Sequence, residues 1–184
     1  MNGCLVVMQP SFLPWAGYFN LMSQAEFFVF LNDAQLVKQS WQTRNRLIMN
    51  GSTPQWISVP VLHKQLNQSI VETEVLDVSN WRAKLGRGFT QSYSKHYHFK
   101  DALEVVNALI EHPSKKLGDI NEAIIRFIAS KINLRTNIYR SSELGIEGVR
   151  TKRLISFCEH FKASVYLSPQ GAAEYLEEDG FEVK

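Results

Sequence analysis

The sequence predicts an α/β fold: a Rossmann-like sheet with an inserted β-hairpin and a helical middle section. Three observations predict it. A strand–helix–strand alternation fills the first ~30 residues, the length of a βαβ unit. The same alternation resumes after Asn133. The stretch between them changes texture, first to β-prone runs and then to ~55 residues with helical periodicity. The chain's 184 residues, 45% of them hydrophobic and 21% charged, fit a single domain at ~100–200 residues per domain. No composition shift or linker marks a second one.

Taken in order, Leu5–Gln9 is a short apolar run ended by Pro10, which reads as a buried strand stopping where a backbone donor is lost. Trp15, Tyr18, Phe19, Leu21 and Met22 recur at helical spacing over Trp15–Gln24, with Pro14 suited to the first turn. Phe27–Leu31 is a second buried strand, closed by Asn32-Asp33; the intervening helix makes the two strands parallel neighbours. Trp41–Met49 and Gln55–Val61 are β-prone runs joined by Asn50-Gly51-Ser52-Thr53-Pro54, a hairpin signal, and Ser69–Leu76 is a third. Trp81–Ser94 reads as a helix despite Gly86 and Gly88. Leu103, Val106, Leu109 and Ile110 line the next helical face, and Ile120, Ile124, Ile125, Ile128 and Ile132 another, with His112-Pro113 as the break. Asn137–Ser141 then reads as strand, Val149–Phe161 as helix, Ser164–Ser168 as strand and Gly171–Glu178 as a short helix. Phe181–Val183 is a strand-like end whose bare edge predicts dimerisation or disorder there.

Several classes are excluded. Twenty Lys+Arg against eighteen Asp+Glu leave a formal charge of +2, with no basic stripe for nucleic acid. The longest apolar runs are about five residues against the ~18–20 that span a bilayer, so no membrane insertion is expected. The start, Met1-Asn2-Gly3-Cys4, lacks the basic region of a secretory signal. Cys4 and Cys158 lie far apart in apolar surroundings and read as buried free thiols. Together these point to the cytoplasm. His96-Tyr97-His98 has a spacing some metal sites use, but no Cys, Asp or Glu cluster accompanies it, and no metal site is expected.

Ligands of open α/β sheets sit beyond the carboxyl ends of the strands. That edge selects Gln9, after the first strand, and Asp33, after the second, as candidate catalytic groups. Gln35 and Lys38 follow as binding groups. In the extended segment Leu36–Met49, Lys38, Arg44 and Arg46 are separated by even numbers and project to one side. Three cations there, with Trp41 close by and Asn45 among them, suit a phosphate or carboxylate joined to a planar group. At the C-terminal end, Ser168, Gln170 and the backbone N–H of Gly171 lie at a strand-to-helix turn, where an anion can be cradled. The competing readings are ordinary turn chemistry at Asn32-Asp33, a solvated hairpin face with Trp41 in the core, and a plain helix cap at Ser168.

QPSFLPWAGYF at Gln9–Phe19, FVFLNDAQLVKQSWQTRNR at Phe28–Arg46, QWISVPV at Gln55–Val61, the Trp81…Tyr93 segment and ASVYLSPQGAAEYL at Ala163–Leu176 together resemble the WbqC-like family of bacterial proteins. The resemblance spans nearly the whole chain. It implies a cytoplasmic role in making or modifying a sugar precursor of O-antigen or other surface polysaccharide. It also implies a continuation beyond Val183, and Ser168-Pro169 stands where the family's turn is richer in glycine. A weaker resemblance is to nucleotidyltransferases with a His-x-Gly-His signature between first strand and helix; the matching stretch, Pro14-Trp15-Ala16-Gly17-Tyr18, lacks both histidines. Adenylyl transfer by those groups is therefore not expected.

The resulting expectation is a group transferase acting on a nucleotide-sugar or an activated sugar or amino-acid donor. Asp33 serves as general base or orients the acceptor, Gln9 and Asn45 orient polar groups, and Lys38, Arg44 and Arg46 bind the anionic part. A magnesium ion at Asp33 lacks a second carboxylate in the sequence, and no other cofactor is indicated. The rival expectation is a non-catalytic protein that binds a nucleotide-sugar or a partner enzyme.

Overall fold

The computed structural model describes residues 3–49 and 53–169. The chain divides into two compact units, each assembled from discontinuous segments. One contains the residues up to Gln9, Trp15–Asn32 and those from Asn133 onward; the other contains Pro10–Pro14 and Asp33–Ile132.

The first, the sheet unit, is built on four parallel strands among the described residues. β1 (Gly3–Met8) pairs with β2 (Phe27–Phe30), with Leu5 opposite Phe27 and Met8 opposite Phe30. Nearly every residue of these two strands is buried, because parallel strands covered on both faces must be apolar on both. One face, Val6, Met8, Phe28 and Phe30, includes the side covered by α1 (Ala16–Gln24), whose Tyr18 ring sits 5.6 Å from Phe28. Two later strands extend the sheet, so among the described residues its order is β7-β2-β1-β8, with β7 at Asn137–Arg140 and β8 at Ala163–Tyr166. The other face, Leu5, Val7 and Val29, packs on Leu154 and Phe157 of α6 (Arg150–Phe161), and Phe27 stacks on Phe161 at 5.0 Å. Helices on both faces of a parallel sheet make this a Rossmann-like α/β layout, as expected. A short α5 (Ser141–Leu144) follows β7 and ends at Gly145, whose φ of +63° suits a residue without a side chain. Cys4 and Cys158 are free, and burial raises both thiols above their ordinary value.

The second, the insertion unit, holds two antiparallel pairs and three helices among the described residues. β3 (Arg44–Ile48) pairs with β4 (Pro54–Ser58), and β5 (Val61–Leu62) with β6 (Glu74–Val75). Its helices are α2 (Trp81–Tyr93), α3 (Phe99–Ile110) and α4 (Leu117–Lys131). The core gathers Leu36, Val59, Ile70, Leu85, Val106, Leu109, Leu117, Ile120 and Ile124, together with Phe12 from the loop after β1.

Two elements are shorter than the periodicity predicts, for a common reason. The Ser69–Leu76 run is a strand only at Glu74–Val75, because Thr73 Oγ1 donates to the Ser69 carbonyl at 2.7 Å and the backbone turns there. The Trp41–Met49 run begins as a strand at Arg44, because Gln42 N donates to Ser40 Oγ at 3.3 Å and Thr43 Oγ1 to the Ser40 carbonyl at 3.4 Å, closing a turn. Short hydroxyl side chains offer the backbone local partners that compete with a ladder. The elements expected at Gly171–Glu178 and Phe181–Val183 lie outside the described residues.

Candidate binding site on the inserted hairpin

Counted along the chain, the parallel strands of the sheet unit lie in the order third, second, first, fourth. The order reverses between β1 and β8. That reversal is the switch point where doubly wound sheets bind ligands. Gln9 follows β1 there, exposed, and its carbonyl accepts from the Tyr18 hydroxyl at 3.2 Å. Ser168, half-buried, follows β8, whose exit is tied to β1 by Leu167 N donating to the Leu5 carbonyl at 2.9 Å. Gln170 and Gly171 lie outside the described residues. At the end of β2 the polar group is structural: Asn32 is fully buried, and its Oδ1 accepts from Ser141 Oγ and Ser142 N, each at 3.2 Å. This side chain fastens the exit of β2 to the start of α5.

The remaining candidates belong to the insertion unit. Asp33 is half-buried at the start of the loop that leads to β3. Gln35 bridges to Ser69 through its backbone and donates from Nε2 to the Leu66 carbonyl at 3.0 Å. Lys38 is exposed in a turn. The Ser40–Thr43 turn separates it from the strand, so the even spacing places Arg44 and Arg46 on one side of β3 and does not extend to Lys38. Asn45 faces the opposite way. Its side-chain amide donates to the Phe12 carbonyl at 3.2 Å and to that of Leu13, while Leu47 and Ile57 on the same face pack on the core.

Arg44 and Arg46 converge on a residue the sequence reading passed over. Register places Trp56 of β4 opposite Arg46, and the two guanidinium carbons lie 4.0 and 4.5 Å from the centre of its indole. Trp41, from the turn before β3, packs against the same indole at 5.4 Å. Both rings are exposed, at 51% for Trp41 and 42% for Trp56. Among the described residues no carboxylate pairs with either arginine, and the Nε of Arg44 is buried without an acceptor. Two guanidinium groups and two solvent-facing indoles thus form one platform. Guanidinium forks suit phosphate or carboxylate, and indole faces suit a flat ring.

The platform's footing explains two further polar residues that periodicity hid. Asn121, 1% exposed on α4, donates through Nδ2 to the carbonyls of Pro10 at 3.0 Å and Gln42 at 2.9 Å. Gln42, also buried, accepts from Val37 N at 2.8 Å and donates to the Gln35 carbonyl at 3.3 Å. With Asn45, these amides hold the Pro10–Pro14 loop and the Asp33–Thr43 loop against α4. Phe12 N donating to the Trp41 carbonyl at 2.8 Å completes the attachment beneath the exposed indole. The only sequence signal for Asn121 is a polar residue interrupting the isoleucine-rich face of α4.

No solved structure matches this chain. The uncharacterized protein Rv1507c of Mycobacterium tuberculosis is 29% identical over 180 residues, covering 97% of this chain and 77% of that protein. The model of the WbqC-like protein family matches residues 9–184, a span that takes in both the strand-end residues and the hairpin platform, and the chain accordingly belongs to that family.

Proposed function

We propose that the insertion unit binds an anionic small molecule bearing a planar ring on the outer face of the β3–β4 hairpin. The class is that of a nucleotide-sugar or an activated sugar or amino-acid donor. In this reading the protein is a cytoplasmic group transferase of bacterial surface-polysaccharide assembly. The observation that carries it is the pairing of Arg44 and Arg46, free of carboxylate partners among the described residues, with the exposed indoles of Trp41 and Trp56. A guanidinium pair neutralises a phosphate on the departing group, and a flat base stacks on the indole. Asp33 takes the proton of the acceptor's nucleophile as that nucleophile bonds to the transferred group and the bond to the phosphate breaks. Gln35 and Lys38 sit on the same loop for contacts to the donor's polar groups. Gln9 and Ser168 flank the switch point of the sheet unit, the other place where this fold class receives ligands.

Thermal unfolding of the full chain against nucleoside diphosphates, nucleotide-sugars and amino acids tests the reading. A ligand at 100 times its Kd adds ~2.7 kcal/mol, a readily measured shift. Arg44→Ala and Arg46→Ala should each shrink the shift, and Asp33→Asn should keep it while abolishing transfer. If no anionic ring compound shifts the wild type, the reading fails. If Asp33→Asn leaves transfer intact, its role as base fails.

A further inference from the structure

The segment Trp81–Tyr93, which forms α2, plays no part in the platform, yet one of its edges is built like a binding wall. Lys84, Arg87 and Gln91 follow one another at intervals of three and four, which stacks them along one side of the helix. With Gln55 and Trp56 of the hairpin and Trp81 they line a cleft of about 500 Å³, within the size range of small-molecule sites. Gly88 lies on the same edge. A Cβ there would stand 2.1 Å from the terminal methyl of Met49, so the bare backbone lets helix and hairpin approach.

The chemistry of this lining is one-sided. It contains two cations and no carboxylate. The first turn of α2 has no acidic side chain, and its N-cap Asn80 makes no side-chain capping bond, so neither of these offsets the partial positive charge of the helix start. Trp81 is only 6% exposed, and among the described residues its indole Nε1–H has no acceptor, an exception to the rule that buried donors are paired.

We propose that this cleft binds an anionic sugar: a hydroxyl-bearing ring that carries one carboxylate or phosphate. Lys84 and Arg87 take the charged group. The side-chain amides of Gln55 and Gln91 each offer a donor and an acceptor, the complement of adjacent hydroxyls. The apolar face of the ring lies on the indole surface of the wall. The site has its own cations, Lys84 and Arg87, and shares Trp56 with the platform of Arg44 and Arg46.

Calorimetric titration of the full chain with glucuronate, glucose 1-phosphate, glucose and inorganic phosphate tests it. Glucuronate, glucose 1-phosphate or both should bind, and binding of one alone identifies the preferred anion. Glucose and inorganic phosphate should each bind at least about tenfold more weakly, since each lacks half of the recognised chemistry. The double change Lys84→Ala/Arg87→Ala, on exposed side chains, should cost at least about tenfold for the anionic sugar. Gln91→Ala should weaken the sugar but not inorganic phosphate. The same double variant should leave the thermal shift given by nucleotides within about twofold of the wild type's, so that losing nucleotide binding and losing this site are separate results. The proposal is overturned if neither anionic sugar binds, if glucose or phosphate binds as tightly, or if the double variant binds like the wild type.

Discussion

At the end of β2 and on the β3–β4 hairpin, polar residues of similar promise meet opposite fates. Asn32 is turned inward, fully buried, and spent on Ser141 and Ser142. Arg44 and Arg46 are turned outward over Trp56, with no carboxylate among the described residues to hold them. Both places look functional by residue type. They differ in whether the fold itself consumes the hydrogen-bonding capacity, and a strand's carboxyl end does not guarantee a free polar group.

The contrast is broken most severely by removing the anchor beneath the platform. Phe12→Ala deletes a fully buried ring of the insertion unit's core, although the residue sits between β1 and α1 in sequence. The expected cost is ~3–5 kcal/mol by urea unfolding, with loss of amide protection in α2 and α4. If the loss is confined to β1 and β2, the assignment of the Pro10–Pro14 loop to the insertion unit is wrong.

The next test asks whether the buried amides are clamps of the same kind in both regions. Asn121→Ala removes one donor from the carbonyls of Pro10 and Gln42, and Asn32→Ala removes one acceptor from the Ser141 hydroxyl and Ser142 N–H. Each change should cost ~1–3 kcal/mol. Asn121→Ala should also weaken ligand binding to the platform by loosening the Trp41 turn, whereas Asn32→Ala should not. Equal effects on binding would erase the distinction.

A smaller effect is read through pH. Burial holds the His112 imidazole below its ordinary value, Arg82 adds to this, and Asp119 opposes it. Its neutral Nδ1 accepts from Ser114 N at 3.3 Å. The unfolded chain therefore takes up this proton first. The stability due to His112 is complete above the unfolded value near 6.5 and is lost as pH falls through the lower folded value. Urea midpoints measured from pH 8 downward should decline across that window in the wild type and stay flatter in His112→Gln. Glu74, lowered chiefly by its hydrogen bonds from Lys64 and Lys116, follows the same sign but titrates below the ordinary carboxylate value of 4.5, outside the imidazole window.

The smallest stability effect belongs to the platform itself. Arg46→Ala removes an exposed contact to Trp56 and should cost no more than ~1 kcal/mol, while reducing ligand binding far more. A loss of several kcal/mol would make the arginine a structural residue like Asn32.

Much of this was legible in the sequence, and the reasons for the rest are specific. The continuous apolar runs Leu5–Met8 and Phe27–Phe30 announced strands buried on both faces, and the helix between them announced a parallel pair. Arg44 and Arg46 announced a shared side because the segment there is extended. Trp56 did not announce itself, because its place opposite Arg46 depends on how many residues the hairpin turn consumes, and five turn-prone residues leave the register open. Even spacing groups Lys38 with the arginines only by counting through Ser40–Thr43, where local hydroxyl bonds bend the chain. Asn121 and Gln42 were hidden because a buried amide matters through partners remote in sequence: Asn121 reaches the carbonyl of Pro10.

The order of the sheet also carries a kinetic consequence. Leu5 meets Phe27 across a short span of chain, whereas Phe27 meets Asn137 only after the whole insertion has been traversed. That span is roughly five times longer, and closing it as a flexible loop costs about 1.4 kcal/mol more in entropy. β1, α1 and β2 thus form a locally connected kernel, and β7 joins late, once the insertion has shortened its own path by folding. Until then one flank of β2 presents bare N–H and C=O groups, the arrangement that recruits strands from other molecules. A lesion in the insertion that never touches the sheet therefore prolongs the lifetime of an adhesive edge. Its first visible symptom would be aggregation during refolding, ahead of any loss of binding by the molecules that finish.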